Sequence, residues 1–254
     1  DDGPRWCRDN GLLMIIYFSG GKDSLAVLHM FKDDPALECV YFGDPGDTYP
    51  HMLEFIIDTC KKFKVPLEII KAKMPQKEYH EKFGYPSDML PVVRTPETQS
   101  TMKNAGKQRL QSFVQCCSNM CWLPMQEASL GKVVYRGIKK NDEHGTDVEN
   151  GFTNEISGIQ YINPIYDWTD DMVFDYLKKN DIEIPRHYKQ VNVSMDCMGC
   201  TAFTHSPSAT ARLRWTKENY PSRWPEIVSR FKKVDEAVKA EKKLIDEPFD
   251  FVLN

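Results

Sequence analysis

The sequence has no long hydrophobic run. Its longest continuous apolar stretch, Leu12 to Phe18, falls far short of the roughly 20 residues a helix needs to cross a bilayer, so no membrane partner is expected. No N-terminal segment combines a charged start, an apolar stretch and a small-residue cleavage site, and a cytoplasmic location is the expectation. Nor is there an excess of positive charge: 33 Lys and Arg stand against 37 Asp and Glu, a net charge of −4. That balance argues against a generally basic nucleic-acid-binding surface. Internal repeats and low-complexity tracts are absent, and no cysteine follows Cys200.

What is present suits a globular chain. The 254 residues are 41% apolar and 28% charged, enough for one sizeable core with a small appended region. Positive charge gathers locally at Arg94, Lys103, Lys107 and Arg109, opposed only by Glu97. This segment has two readings, a docking surface for a phosphate-rich partner or a solvated loop, and the solvated loop is the simpler. The eight cysteines are unevenly spread. Cys7, Cys39 and Cys60 are scattered, and the last two sit in apolar patterns where a small hydrophobe suits a core. The rest cluster as Cys116-Cys117 with Cys121, and as Cys197 with Cys200. Without a secretion signal such clusters point to metal or redox chemistry.

Periodicity predicts alternating strands and helices. Leu12 to Phe18 reads as a strand buried on both faces. Ser24, Val27, Leu28 and Phe31 recur at helical spacing directly behind the sequence Ser19-Gly20-Gly21-Lys22-Asp23-Ser24. Glu38 to Phe42 is a second strand that ends in the turn Gly43 to Asp47. Leu53, Ile56, Ile57, Cys60 and Phe63 mark a helix face, and Leu67 to Ile70 a third strand. From Pro75 to about Gln111 the pattern weakens, which predicts a mobile or substrate-covering segment. Lys132 to Ile138 is a fourth strand, followed by a polar loop from Lys139 to Asn154. Thr169-Asp170-Asp171 opens a helix faced by Met172, Val173, Tyr176 and Leu177. Trp224, Ile227, Val228, Phe231 and Val234 mark a C-terminal helix. The expected fold is α/β, a mostly parallel twisted sheet covered by helices on both faces, with a C-terminal helical extension. The expected division is a main domain over residues 1–205 and an extension over 206–254 packed on it. Ligands in such sheets bind at the carboxyl ends of the strands, where both the Ser19–Ser24 loop and the Asp44 turn fall.

The loop carries the chemistry. Gly20 and Gly21 let the backbone turn tightly and bring its N–H groups to an anion, and the helix behind them adds partial positive charge. Ser19 and Ser24 offer hydroxyls and Lys22 a point charge. Asp23 holds the loop or assists a metal ion. The Walker A spacing is absent. Cys197-Met198-Gly199-Cys200 is a C-x2-C pair whose thiolates can share a metal centre, with Cys116 and Cys117 as further ligands. Four thiolates suit zinc or an iron–sulfur cluster, and adjacent cysteines make an awkward tetrahedral chelate. The six histidines are dispersed. His144, in the polar loop, and His205, after the C-x2-C turn, read more simply as surface residues than as catalysts. Asp142 and Glu143 are acidic loop residues suited to a magnesium ion or a ribose. Trp168 reads as packing.

Taken together, these segments resemble a known family. Ser19 to Ser24 resembles the pyrophosphate loop of the PP-loop ATP pyrophosphatases. Asp44-Pro45-Gly46-Asp47-Thr48-Tyr49-Pro50 is similar to the D-T-G-x-x-F-P turn of their phosphoadenosine phosphosulfate reductase-like branch. Gly137-Ile138-Lys139 resembles that branch's G-I-R turn, with lysine for arginine, and Asn163 to Thr169 its N-P-L-x-x-W-T segment. The likeness runs from about Leu12 to Thr201. It implies an adenine nucleotide alpha hydrolase-like fold. It also implies binding of ATP with Mg²⁺ through Ser19, Gly20, Gly21, Lys22, Asp23, Ser24, Asp44, Gly46, Gly137 and Lys139, with Lys22, Asp23 and Ser24 catalytic. The cysteine pattern is similar to that of the iron–sulfur adenosine phosphosulfate reductases and of the ATP-pyrophosphatase component of DNA phosphorothioation systems. The C-C-x6-P-L spacing becomes Cys116-Cys117 to Pro124-Met125, and G-C-x2-C-T becomes Asp196-Cys197 to Cys200-Thr201. By resemblance Cys116, Cys117, Cys197 and Cys200 hold a 4Fe–4S cluster, ahead of zinc.

Two departures shape the expected function. Met120-Cys121 replaces the Arg-Lys pair of the reductases' double-cysteine motif. The reductases' C-terminal E-C-G-[LI]-H nucleophile also has no counterpart in Glu247 to Asn254. The leading expectation is therefore cleavage of ATP to AMP and pyrophosphate, activating an acceptor for sulfur transfer. A cysteine desulfurase or other sulfur donor is the implied partner, and DNA or another nucleic acid a candidate acceptor. The alternatives are a sulfonucleotide reductase that borrows a partner thiol and a non-catalytic nucleotide-binding redox sensor.

Overall fold

The computed structural model describes residues 13–89, 110–140, 142, 153–156 and 158–253. Cys7, Arg94, Glu97, Lys103, Lys107, Arg109, Glu143 and His144 lie outside the described residues. Along the chain come β1 (Met14–Tyr17), α1 (Lys22–Phe31), β2 (Leu37–Asp44), α2 (Pro50–Phe63), β3 (Leu67–Lys71), α3 (Gln76–Phe83), β4 (Tyr85–Pro86) and β5 (Leu110–Gln111). There follow α4 (Phe113–Cys117), a π turn over Ser118–Trp122, α5 (Leu123–Ala128), β6 (Val133–Tyr135), β7 (Thr153–Ile156), β8 (Ile159–Ile162), α6 (Asp170–Lys179), a 3₁₀ turn over Arg186–Lys189, α7 (Ala209–Asn219) and α8 (Trp224–Leu253). Among the described residues no helix is long and apolar enough to cross a membrane.

These elements form two compact units. The first comprises the residues up to Asp44, Thr48–Lys71 and Cys121–Asp196. It contains a six-stranded sheet in the order β3-β2-β1-β6-β8-β7. Every neighbouring pair is parallel except β7 with β8, so one antiparallel strand closes one edge. Alternation along β1 sends its residues to two cores. Met14 and Ile16 join Val40, Phe42 and Tyr135 on one face, against Leu25 and Leu28 of α1, Ile56 and Cys60 of α2, and Val173 and Leu177 of α6. Ile15 joins Tyr41, Val134 and Tyr161 on the other, against Met125 of α5. This is the expected parallel sheet with helices on both faces. The chain turns outward in opposite directions from β1, to β2 on one side and β6 on the other. Such a switch point leaves a crevice at the carboxyl ends of β1 and β6, the customary ligand position in parallel sheets.

The second unit comprises Pro45–Asp47, Ala72–Met120 and Cys197–Asn254. Its small core packs Tyr79, Cys116 and Met120 with Ala72, Met74 and Phe83. Phe113 meets Phe203 with ring centroids 4.7 Å apart. Asp47 accepts hydrogen bonds from Arg223 at 2.9 Å, Arg230 at 2.7 Å and the Gly199 N–H at 2.9 Å. This one carboxylate ties α8 to the loop between Cys197 and Cys200.

Candidate nucleotide-phosphate site

In the first unit the backbone leaves β1 through Ser19, Gly20 and Gly21 and enters α1 at Lys22. Gly20 has φ +82°, in the left-handed region. A β-carbon there would stand 2.8 Å from Met52 Cε. Gly21 caps α1 without a side-chain hydrogen bond, so the first turn of the helix presents N–H groups that its own end cannot satisfy. The serines order the turn: Ser19 Oγ accepts the Gly21 N–H at 3.3 Å, and Ser24 Oγ donates to Gly21 O at 3.1 Å. The two hydroxyls lie 3.2 Å apart. The Lys22 N–H donates to Tyr188 Oη at 3.2 Å.

β6 closes this arrangement from beside the loop. A β-carbon on Gly137 would fall 2.5 Å from both Asp23 C and Ser24 N, so only glycine lets the strand end lie against the first turn of α1. Two residues on, Lys139 reaches back. Its Nζ lies 2.6 Å from Asp23, 2.9 Å from Asp142 and 3.4 Å from Asp170. Lys22 Nζ lies 2.9 Å from both Asp23 and Asp170. Both lysines are buried. Burial works against the charge on Lys139, but the bonds to Asp23 and Asp142 outweigh it and raise its pKa. Burial likewise pulls the Asp170 carboxyl upward, and Lys22 and Lys139 outweigh it, holding that carboxyl below its usual range. Both ammonium groups are thus fixed in place, and Lys139 keeps its charge at neutral pH. Asp44 ends β2, where its Oδ1 accepts from Thr48 Oγ1 at 2.9 Å.

The structure therefore gathers Ser19, Gly20, Gly21, Lys22, Asp23, Ser24, Gly137 and Lys139 at the switch point, with Asp142 beside them. Gly46, at φ +86°, belongs to the second unit. Sequence reasoning missed Asp170, Tyr188 and Ser194. Asp170 was legible only as a helix start, although its place directly after Trp168-Thr169 ties it to a recognised segment. Tyr188 and Ser194 lie in a stretch without periodicity or motif.

Cys116, Cys117, Cys197 and Cys200 all fall in the second unit, whereas Cys121 falls in the first. None of the described cysteines forms a disulfide. Cys116 is buried 3.3 Å from His80 Nε2, and its pKa is pushed up to about 12 by burial and then by the charge of Cys200. Gln76 Nε2 donates to Cys197 Sγ at 3.6 Å. Among the described residues no group of three or more His, Cys, Asp or Glu stands as a metal-ligand set. The donor chemistry suits a soft metal, whereas the placement does not close a ligand cage. His205 is bound to Asp88 at 3.1 Å, a structural contact, and Trp168 packs on Tyr176.

Comparison with known proteins agrees with this layout. Residues 14–203 match the phosphoadenosine phosphosulfate reductase domain. The chain is 28% identical over 104 residues to an adenosine 5′-phosphosulfate reductase of Staphylococcus haemolyticus, covering 40% of this chain and 43% of that protein. It is 21% identical over 248 residues to an uncharacterized 37.8 kDa protein of Escherichia phage 186, covering 84% and 74% of the two chains. Among solved structures, the phosphoadenylyl-sulfate reductase of Candida auris in its phosphate complex shares the fold. The TM-score is 0.50 at 16% identity, over 73% of this chain and 81% of that one. The match over residues 14–203, most of its length, shows that this chain, with a glycine loop at the switch point closed by Gly137 and Lys139, belongs to the phosphoadenosine phosphosulfate reductase domain family.

Proposed function

We propose that this chain is an ATP pyrophosphatase that activates an acceptor for sulfur transfer. An acceptor oxygen attacks the α-phosphorus of ATP. The bond to the β-phosphate oxygen breaks, pyrophosphate leaves toward the Ser19–Ser24 loop, and the acceptor retains AMP. A sulfur nucleophile supplied by a partner of the desulfurase type then displaces AMP together with the acceptor oxygen. Mg²⁺ enters as the counter-ion of the ATP phosphates. Negative charge grows on the leaving pyrophosphate, and the loop N–H groups with Lys22 and Lys139 stabilise it there.

The observation that carries this reading is the pair of buried lysines, fixed on shared aspartates beside the start of α1. The thiols of the same unit supply a second argument. Burial first, with lesser help from neighbouring charges, pushes Cys60 and Cys121 up to about 12 and raises Cys39. Among the described residues, then, that unit offers no thiolate ready to attack a sulfonucleotide at neutral pH. DNA is the leading acceptor by the resemblance of the cysteine pattern to DNA phosphorothioation proteins. By donor chemistry, Cys116, Cys117, Cys197 and Cys200 are the ligands proposed for a 4Fe–4S cluster, with zinc as the alternative.

Family membership and the staphylococcal relative favour a second reading, in which the loop holds an adenylyl sulfate and a partner supplies the thiol. Product analysis separates the two. The first predicts AMP and pyrophosphate from ATP. Release of ADP and phosphate sinks it, and sulfite release from phosphoadenylyl sulfate with thioredoxin favours the second. An absorption spectrum after anaerobic purification tests the cluster independently, and a colourless protein removes it.

A further inference from the structure

Hydroxyl groups converge on Gly21 from two distant parts of the first unit. Ser19 and Ser24 belong to the loop itself. The others come from the segment that follows α6. A β-carbon built on Gly21 would stand 3.0 Å from Ser194 Oγ, 3.4 Å from Ser19 Oγ and 3.6 Å from Tyr188 Oη. Tyr188 Oη already accepts the Lys22 N–H at 3.2 Å, and the Ser194 hydroxyl faces the same glycine. Burial raises the pKa of Tyr188, so the phenol keeps its proton at neutral pH.

A buried histidine pair holds this segment in place. His187 is 0% exposed. Its Nε2 faces Val193 O at 3.1 Å, and because a carbonyl only accepts, Nε2 carries the proton. Its Nδ1 is then the acceptor of a hydrogen bond that His51 Nε2–H donates across 3.2 Å. One neutral tautomer of each ring satisfies both contacts. The Tyr188 ring stacks beside His187 with centroids 4.3 Å apart and meets Phe174 edge-on at 6.2 Å. The hydroxyl is therefore aimed by a rigid support.

We propose that Tyr188 and Ser194 are binding residues for the phosphate held by the Ser19–Ser24 loop, each hydroxyl donating to a phosphate oxygen beside Gly21. A hydroxyl that accepts from the Lys22 amide through a lone pair still has its proton to give. The need for such neutral donors follows from the charges. Lys22 and Lys139 are already engaged by Asp23, Asp142 and Asp170, so two ammonium groups face three carboxylates. The carboxylates offset part of the ammonium charge that an anion meets, and oriented neutral donors add to the recognition. The inference rests on the phosphate-loop reading above and adds to it two residues from outside the loop.

The test is calorimetric titration of the full chain with inorganic pyrophosphate and with Mg-ATP. A hydrogen bond to a charged group contributes about 1.5–3 kcal/mol, so Tyr188→Phe is expected to weaken pyrophosphate binding by about tenfold or more, and Ser194→Ala by a smaller factor. Ser194→Thr, which keeps the hydroxyl, restores part of the loss. Ser194 is exposed, so its variants leave folding intact even if Tyr188→Phe lowers the melting temperature. Unchanged or tighter binding in Tyr188→Phe and Ser194→Ala, with the unaltered chain binding normally, overturns this inference alone. Failure of the unaltered chain to bind either ligand overturns the phosphate-loop reading as well.

Discussion

The phosphate loop and the cysteine segments are both polar sites, and they are organised in opposite ways. At the loop, charged groups from three separate stretches are locked on one another. Lys22 and Lys139 share Asp23 and Asp170, and Gly137 lets β6 touch the α1 backbone. At the cysteines the sulfur atoms have neutral neighbours instead, His80 on Cys116 and Gln76 on Cys197. Ionic support is one step removed, where Asp47 and Arg230 hold the Gly199 backbone and Arg212 donates to Cys200 O at 3.4 Å. A site whose donors are fixed by backbone contact and ion pairs presents them without rearrangement. A site whose thiols are only flanked by hydrogen-bond donors still needs something to draw the sulfurs together.

Removing the fixed geometry of the loop gives the largest expected effect. A methyl group at Gly137 would overlap Asp23 C and Ser24 N at 2.5 Å, backbone atoms that cannot swing aside. Gly137→Ala is expected to displace the start of α1 and lower pyrophosphate release from ATP by about 100-fold, the scale associated with misplacement of about 1 Å. Gly131→Ala is the control. Its β-carbon meets nothing within 4 Å, though φ is +73°, so it costs about 1 kcal/mol of stability and leaves turnover near that of the unaltered chain. Equal turnover in the two variants would show that close approach at Gly137 does not matter.

The cysteine region is probed through Asp47, whose side chain is 5% exposed between Arg223 and Arg230. Asp47→Asn keeps the shape and removes the charge. Breaking a buried ion pair from one side costs about 3–5 kcal/mol. The low end applies, because Arg223 is 45% exposed and Arg230 retains Glu226 at 2.8 Å. A melting temperature lower by about 6–12 °C is expected, with faster alkylation of Cys197 and Cys200 as Gly199 loses its anchor. A variant that melts normally and alkylates at the original rate would mean that this carboxylate does not hold the loop.

The same contrast explains what could be read from residues alone. Apolar runs announced β1, β2 and β3 to within a few residues, and the Ser19–Ser24 loop lay between a strand and a helix as expected, because packing and turn chemistry are local. The hairpin of Thr153–Ile156 with Ile159–Ile162 was hidden by the polar stretch ahead of it. Helix Gln76–Phe83 was hidden more thoroughly. Its buried positions are Gln76, Tyr79 and His80, two of them polar, so no hydrophobic stripe marks it. Those polar residues are the ones that touch the thiols. Asp170, Tyr188 and Ser194 escaped for the complementary reason: each meets the loop across more than a hundred residues of chain, and spacing carries no sign of that.

The smallest expected effect concerns the support beneath Tyr188. Burial, followed for His51 by the charges of His187 and Arg186, lowers the pKa values of His51 and His187 to about 4. An unfolded histidine titrates near 6.5. Between these values the unfolded chain binds protons that the folded chain refuses, so stability is complete above about pH 6.5 and falls as pH drops through about 4. His80, lowered to about 4 by burial and then by Arg230, adds to the same slope, so the total fall does not identify the pair. His51→Gln isolates it. The glutamine amide can still donate to His187 Nδ1, yet it takes up no proton, and the slope near pH 5 should flatten by up to about 1.4 kcal/mol per pH unit. Urea melts of the two proteins at pH 7, 6 and 5 measure this directly. Parallel slopes would place the His51 proton outside the folding equilibrium and remove the argument that a neutral histidine pair fixes the segment over the loop.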